Sequence, residues 1–115
     1  MFVKRYPFLV WSFSIALALS VFPSIGHSGE PIAKARQSEL NNLIRQDCGS
    51  CHGMTLNGGL GSPLHSKNLT KFATDELTEI ILEGIPGTPM PPWKYLLSKS
   101  EAYWIANSLK KGSVK

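Results

Sequence analysis

Apolar residues return at three- and four-residue spacing in three stretches of the chain, each with its own start or stop signals. The first stretch, "ARQSELNNLIRQD" from Ala35 to Asp47, places Leu40, Leu43, Ile44 and then Asp47/Cys48 on one helical face. The second, "TDELTEIILEG" from Thr74 to Gly84, carries a stripe of Leu77, Ile80 and Ile81. Thr74 is a good N-cap, Asp75 and Glu76 suit the positive end of the helix dipole, and Gly84 stops the helix. The third opens on a capping box formed by Ser98 and Glu101 and lines up Ala102, Ile105, Ala106 and Leu109. Lys110 and Lys111 then sit at its negative end, before Gly112. No stretch alternates with period two for long enough to predict a strand. The pattern predicts an all-α domain of three main helices.

The segments between the helices are built to turn. Residues 53–73, "GMTLNGGLGSPLHSKNLTKFA", hold four glycines and a proline and predict a loop. Residues 85–93, "IPGTPMPPW", hold four prolines in nine positions, which neither a helix nor a central strand tolerates.

The N-terminus reads differently. Lys4 and Arg5 precede an uncharged apolar run, residues 8–22, and "PSIGHSGE" then supplies a helix breaker and small residues. That is the layout of a secretory signal peptide over residues 1–28, cut after Ser28 in preference to Gly26. The run is short for a membrane span, which takes about 20 residues, so a retained anchor is the weaker reading. Export leaves one domain, residues 29–115, with no membrane span, read as a periplasmic monomer. It lowers the formal charge from +4 to about +2, because Lys4 and Arg5 leave with the leader. So mild a balance, without a basic stripe, argues against nucleic-acid binding. The remaining domain is small for an unaided core and needs a further staple.

That staple is suggested by "DCGSCHGMTLNGGLG", residues 47–61. It contains both cysteines of the chain, Cys48 and Cys51, with His52 directly after the second. In an oxidising compartment an unmodified pair tends toward a disulfide, which leaves His52 unexplained. A thioredoxin-like pair needs a βαβ setting, and a zinc site needs further ligands beyond His65. C-x-x-C-H instead suits a haem: two thiols add to the vinyl groups on one edge, and the adjacent imidazole comes under the iron. For the opposite axial position the candidates are Met90, His65, Met54 and water. Met54 follows His52 too closely to reach the far face. Met90 lies between prolines in a stiff loop, where a methionine is not core filler, and is preferred over His65 and an open site.

The blocks "CGSCHGMTLNGGLG" and "GIPGTPMPPW" resemble the class I c-type cytochromes, and more narrowly the small exported monohaem cytochromes encoded in gene clusters for cytochrome cd1 nitrite reductase. The resemblance spans about Leu40 to Leu109. It implies the class I cytochrome c fold, three main helices wrapped around one covalently attached haem c, with the first and last helices crossing beside it. It implies Cys48 and Cys51 as thioether positions, His52 as the proximal iron ligand and Met90 as the distal one. Ser62 stands where the family often has a proline whose carbonyl accepts the free N–H of the axial histidine. The resemblance also implies an electron carrier, not an enzyme, with nitrite reductase of denitrification as redox partner. The alternative it implies is an accessory role in haem d1 maturation of that reductase.

Some residues remain open. Trp93 either packs on the haem edge, with its indole N–H towards a propionate, or gives plain apolar cover. Trp104 falls opposite the apolar face of the third helix and is expected under a loop rather than at a partner contact. Lys67, Lys71 and Lys94 could ring the haem edge and steer an acidic partner, although a charge near +2 suits an ordinary solvated set better. His65 is expected on the surface. A small loop-rich chain that depends on a prosthetic group should be largely unfolded when haem-free. Circular dichroism of the haem-free protein should therefore show little helix and no cooperative melt; a native-like, cooperative melt would contradict this.

Overall fold

The computed structural model of the chain describes residues 31–114, so the predicted leader and both suggested cleavage positions lie outside the described residues. Among the described residues the elements are all helical: α1 (Lys34–Leu43), α2 (Gly49–His52), α3 (Ser66–Leu69), α4 (Thr74–Glu83) and α5 (Lys99–Lys111). None of these helices is long and apolar enough to cross a membrane.

The first helix does not stop at Asp47. A wide π-helical turn, Ile44–Cys48, joins α1 directly to α2, with the Gly49 N–H donating to the Ile44 carbonyl. Such turns insert an extra residue into a helical turn and shift the face presented downstream. Upstream of it, Leu40 and Ile44 are fully buried in the core. Downstream, Cys48, Cys51 and His52 stand at i, i+3 and i+4, so all three share one face.

α5 is the central element and packs against α4, α3 and α1. Its apolar face is Ala102, Ile105, Ala106 and Leu109, all buried, as the periodicity predicts. Both of its ends are capped as expected. The Ser98 hydroxyl accepts from the Glu101 N–H, and the Glu101 carboxylate accepts from the Ser98 N–H at 2.8 Å. At the other end Gly112 is left-handed, at φ 63°, and the Gly112 and Ser113 N–H groups return to the Leu109 and Ser108 carbonyls. Arg36 on α1 donates to Glu101 at 2.6 Å, which ties the first helix to the start of the last.

Further details differ from the sequence reading, beginning with α3 (Ser66–Leu69), a short helix within residues 53–73, which were predicted as a loop. Thr74 is the first residue inside α4 rather than its cap; Ala73 occupies the N-cap, and no side chain caps that end. Ile80 and Ile81 are only partly buried, while Thr78 and Leu82 join Leu77 in the buried set. Thr78 tolerates burial because its hydroxyl donates to the Thr74 carbonyl at 2.7 Å. α4 therefore has a core side and a second apolar side, and the second lines a cleft.

Ser98→Ala removes the α5 cap and should cost about 1 kcal/mol, read as a fall in the thermal midpoint of the haem-loaded protein. Glu101 carries a second, pH-dependent share. The Arg36 guanidinium holds its carboxyl below the usual carboxylate range. Its stabilising share is thus present above the unfolded-state value and is lost as pH falls through the folded one. Glu101→Gln should flatten the acid limb of the stability profile; an unchanged limb would remove Glu101 from acid unfolding.

Candidate haem-binding site

A cleft of about 390 Å³ opens between the α1–α2 helix, the inner face of α5, the second side of α4 and the two long loops. Its walls are mainly apolar. Leu77, Ile80 and Ile81 come from α4; Ile105, Ala106 and Leu109 come from α5. Leu64, Leu69 and Phe72 close it from the glycine-rich segment. Cys48, Cys51, His52, Ser62, Met90 and Trp93 all line this one cleft. The sequence-derived site residues are therefore brought together, although Met90 is far from the others along the chain.

The His52 side of the cleft depends on a close backbone approach. His52 Nδ1 lies 2.6 Å from the Ser62 carbonyl oxygen. A carbonyl can only accept, so Nδ1 carries a proton, and in the neutral ring the lone pair is on Nε2. Gly61 makes room for this contact: a Cβ there would lie 2.6 Å from the Nδ1 and Cε1 atoms of the ring. The loop is held in place by backbone bonds from Gly58 N–H to the His52 carbonyl at 2.7 Å and from Gly61 N–H to the Cys51 carbonyl at 2.8 Å. Those carbonyls end a helix and would otherwise lack partners.

Met90 is positioned by a different device. Ile85, Pro86, Gly87 and Thr88 form a tight turn, with Gly87 at φ 77° and the Thr88 N–H donating to the Ile85 carbonyl at 3.1 Å. The Thr88 hydroxyl also donates to the Ile85 carbonyl at 2.7 Å and accepts from the Met90 N–H at 3.3 Å. After the methionine, the Trp93 and Lys94 N–H groups donate to the Ile81 and Leu82 carbonyls, at 3.2 and 3.1 Å. The Met90 loop thus completes the C-terminal end of α4. Gly84 joins the two; its φ is 67°, and a Cβ would lie 2.6 Å from the Met90 carbonyl oxygen. Thr88 went unnoticed in the sequence reading, although the Pro-Gly-Thr order was an available sign for it.

Both thiols are free and partly exposed. Burial, followed by the neighbouring Asp47 charge, pushes the Cys48 thiol up to about 11. Cys48 is therefore a neutral thiol at physiological pH in this geometry. No three His, Cys, Asp or Glu side chains among the described residues converge to hold a metal ion. His65 is bonded to Asn57 Oδ1 and is not a cleft residue. Met54 is exposed and also lies off the cleft.

Trp104 is half-buried, packs against the core cluster and lines a groove together with the α1 residues Gln37 and Asn41. Lys94 pairs with Glu83 at 2.6 Å, and Lys71 lies 5.0 Å from the centre of the Phe72 ring. Neither arrangement makes an open basic ring.

The donor set and shape fit a haem c. Two thiols and an imidazole share one helical face, the free imidazole nitrogen belongs to a ring fixed by its other nitrogen, and the surrounding walls are apolar.

Known proteins agree with that chemistry. Residues 35–107 match the family described as cytochrome C oxidase, cbb3-type, subunit III. A cytochrome c55X from Paracoccus denitrificans is 46% identical over 97 residues, covering 84% of this chain and 93% of the relative. The solved structure of a c-type cytochrome NirC superposes with a TM-score of 0.70 at 44% identity, covering 71% of this chain and 96% of that one. The dihydro-heme d1 dehydrogenase NirN, solved in complex with DHE, shares a smaller part: 32% identity, a TM-score of 0.56, and 60% of this chain against 15% of its own. With a covalent haem c as its cofactor, the chain belongs to the c-type cytochromes, as a monohaem electron carrier of the cytochrome c55X and NirC kind.

Proposed function

We propose that Cys48 and Cys51 form the thioether bonds, that His52 Nε2 and Met90 Sδ take the two axial positions of the iron, and that the protein passes single electrons to cytochrome cd1 nitrite reductase in the periplasm. The observation that carries the proposal is the convergence of these four side chains on one apolar cleft, with the His52 ring held through Nδ1 by the Ser62 carbonyl. When bound, the haem supplies a metal centre that gains and loses one electron. The chain's own residues do the rest. The Ser62 carbonyl keeps the His52 ring oriented and holds the proton of the neutral imidazole on Nδ1, which leaves Nε2 as the ligand atom. The Thr88 turn and the α4 carbonyls hold the Met90 loop in place without a helix beneath it. The apolar walls exclude water, which favours little reorganisation between oxidation states and, with histidine and methionine as ligands, a higher potential than two histidines would give. With His52 and Met90 both holding the iron, no open position would remain on it for a substrate.

The leader reading of residues 1–28 supports export, and the cytochrome c55X and NirC relatives support the denitrification setting. A second reading rests on the partial likeness to NirN, a dihydro-heme d1 dehydrogenase. In that reading the same cleft carries electrons during maturation of haem d1 for the reductase. Deleting the gene separates the two: nitrite reductase that still acquires its d1 group, but receives electrons slowly, favours the first.

Met90→Ala should abolish the weak red-end absorption of the oxidised protein and let the reduced protein bind carbon monoxide at neutral pH. An unchanged spectrum would remove Met90 from the iron. Gly61→Ala should force the His52 ring aside and destabilise the haem-loaded protein by about 1–3 kcal/mol, the usual range for overpacking. Equal thermal midpoints for wild type and variant would show that the Gly61 contact is not restrictive.

A further inference from the structure

A second groove, of about 600 Å³, runs between α1 and the C-terminal half of α5. It shares no lining residue with the haem cleft. Its charge is one-sided. Lys34, Arg45 and Lys111 line it, and no acidic side chain does. These three cations make no ion pair among the described residues, whereas Arg36, Lys94 and Lys99 are all paired with glutamates. Lys67, Lys71 and Lys110 are also without an ion pair among the described residues, so what distinguishes the groove is that three cations share it with no acidic side chain.

The other lining groups have their own chemistry. Gln37 Nε2 already donates to the Ile32 carbonyl at 2.8 Å, while Asn42 and Asn107 are primary amides, each offering donors and an acceptor. That combination matches the alternating N–H and C=O groups of an extended backbone. Asn41 Oδ1 is buried at the same groove without a hydrogen-bond partner. An unpaired acceptor of this kind costs about 1–3 kcal/mol, and rotation of the amide towards the groove would let a ligand N–H relieve it. Trp104 adds a half-buried indole able to take an apolar side chain.

We propose that this groove docks an extended acidic segment of a partner protein. Cations pair with its carboxylates, amides read its backbone, and Trp104 holds an apolar side chain. Because the groove is separate from the cleft, a partner bound there leaves the Met90 side of the cleft free for electron transfer. The carrier would be held through one surface and exchange electrons through another.

The test uses the haem-loaded, ¹⁵N-labelled protein and a short end-blocked peptide of alternating Glu and Val. Titration should shift the Asn42 and Asn107 side-chain amides and the Trp104 indole N–H, with an affinity that falls as salt rises. The triple variant K34E/R45E/K111E should weaken binding about tenfold, the order expected for losing three exposed charge contacts. All three positions are exposed, and the haem absorption spectrum should not change. If the reversals impair folding, K34Q/R45Q/K111Q serves instead. Equal binding by wild type and variant, or shifts confined to Lys67 and Lys71, would overturn the proposal. It would also fail if sulfate alone reproduced every shift and displaced the peptide, which would make the groove a small-anion site. Self-association that the triple variant abolishes would assign the groove to a second copy of the chain and would equally overturn it. An altered spectrum in Met90→Ala bears only on the iron ligands, so the two proposals fail independently.

Discussion

The hydrogen bond between His52 Nδ1 and the Ser62 carbonyl joins two parts of the chain that the cleft requires to be in contact. One is the end of a helix, where Cys48, Cys51 and His52 share a face. The other is a loop that must come close enough to touch the imidazole ring. The bond sets which ring nitrogen keeps its proton, and so which one faces the cleft. It is possible only because Gly61 has no side chain to obstruct the ring. A serine at position 62 does this as well as a proline would, because only the carbonyl takes part.

The opposite wall uses the same economy. The α4 helix ends at Gly84 with carbonyls lacking intrahelical partners, and the Met90 loop supplies their donors from Trp93 and Lys94. Ending the helix and positioning the methionine are one structural event. This also explains why Ile80 and Ile81 remain partly exposed while Thr78 is buried. A helix shared between a core and a cofactor cleft needs two apolar sides, and its residues divide between them.

Charge follows a separate geography. Glutamates on α1, α4 and α5 neutralise Arg36, Lys94 and Lys99, and the exposed pairs among these add little stability. Their larger effect is to leave Lys34, Arg45 and Lys111 as the unpaired cations of one groove away from the haem cleft. In an electron carrier, separating the surface that recognises from the surface that transfers permits contact without burying the redox edge.

The linear chain by itself determined whatever depends on short-range geometry. Three helices follow from three- and four-residue spacing and from the Ser98–Glu101 and Gly112 caps. A helix that runs into the Cys48–Cys51–His52 segment follows from the Leu40, Leu43 and Ile44 spacing, and a rigid methionine loop follows from its prolines. Only the tertiary structure decided what depends on distant segments meeting. It showed that Gly61 must be bare, that Thr88 braces Met90, that Trp104 lines a groove between α1 and α5, and that Glu83 claims Lys94. The reason is physical: spacing along a helix is dictated by backbone geometry, whereas contact between remote residues depends on how whole elements pack, and no local pattern encodes it.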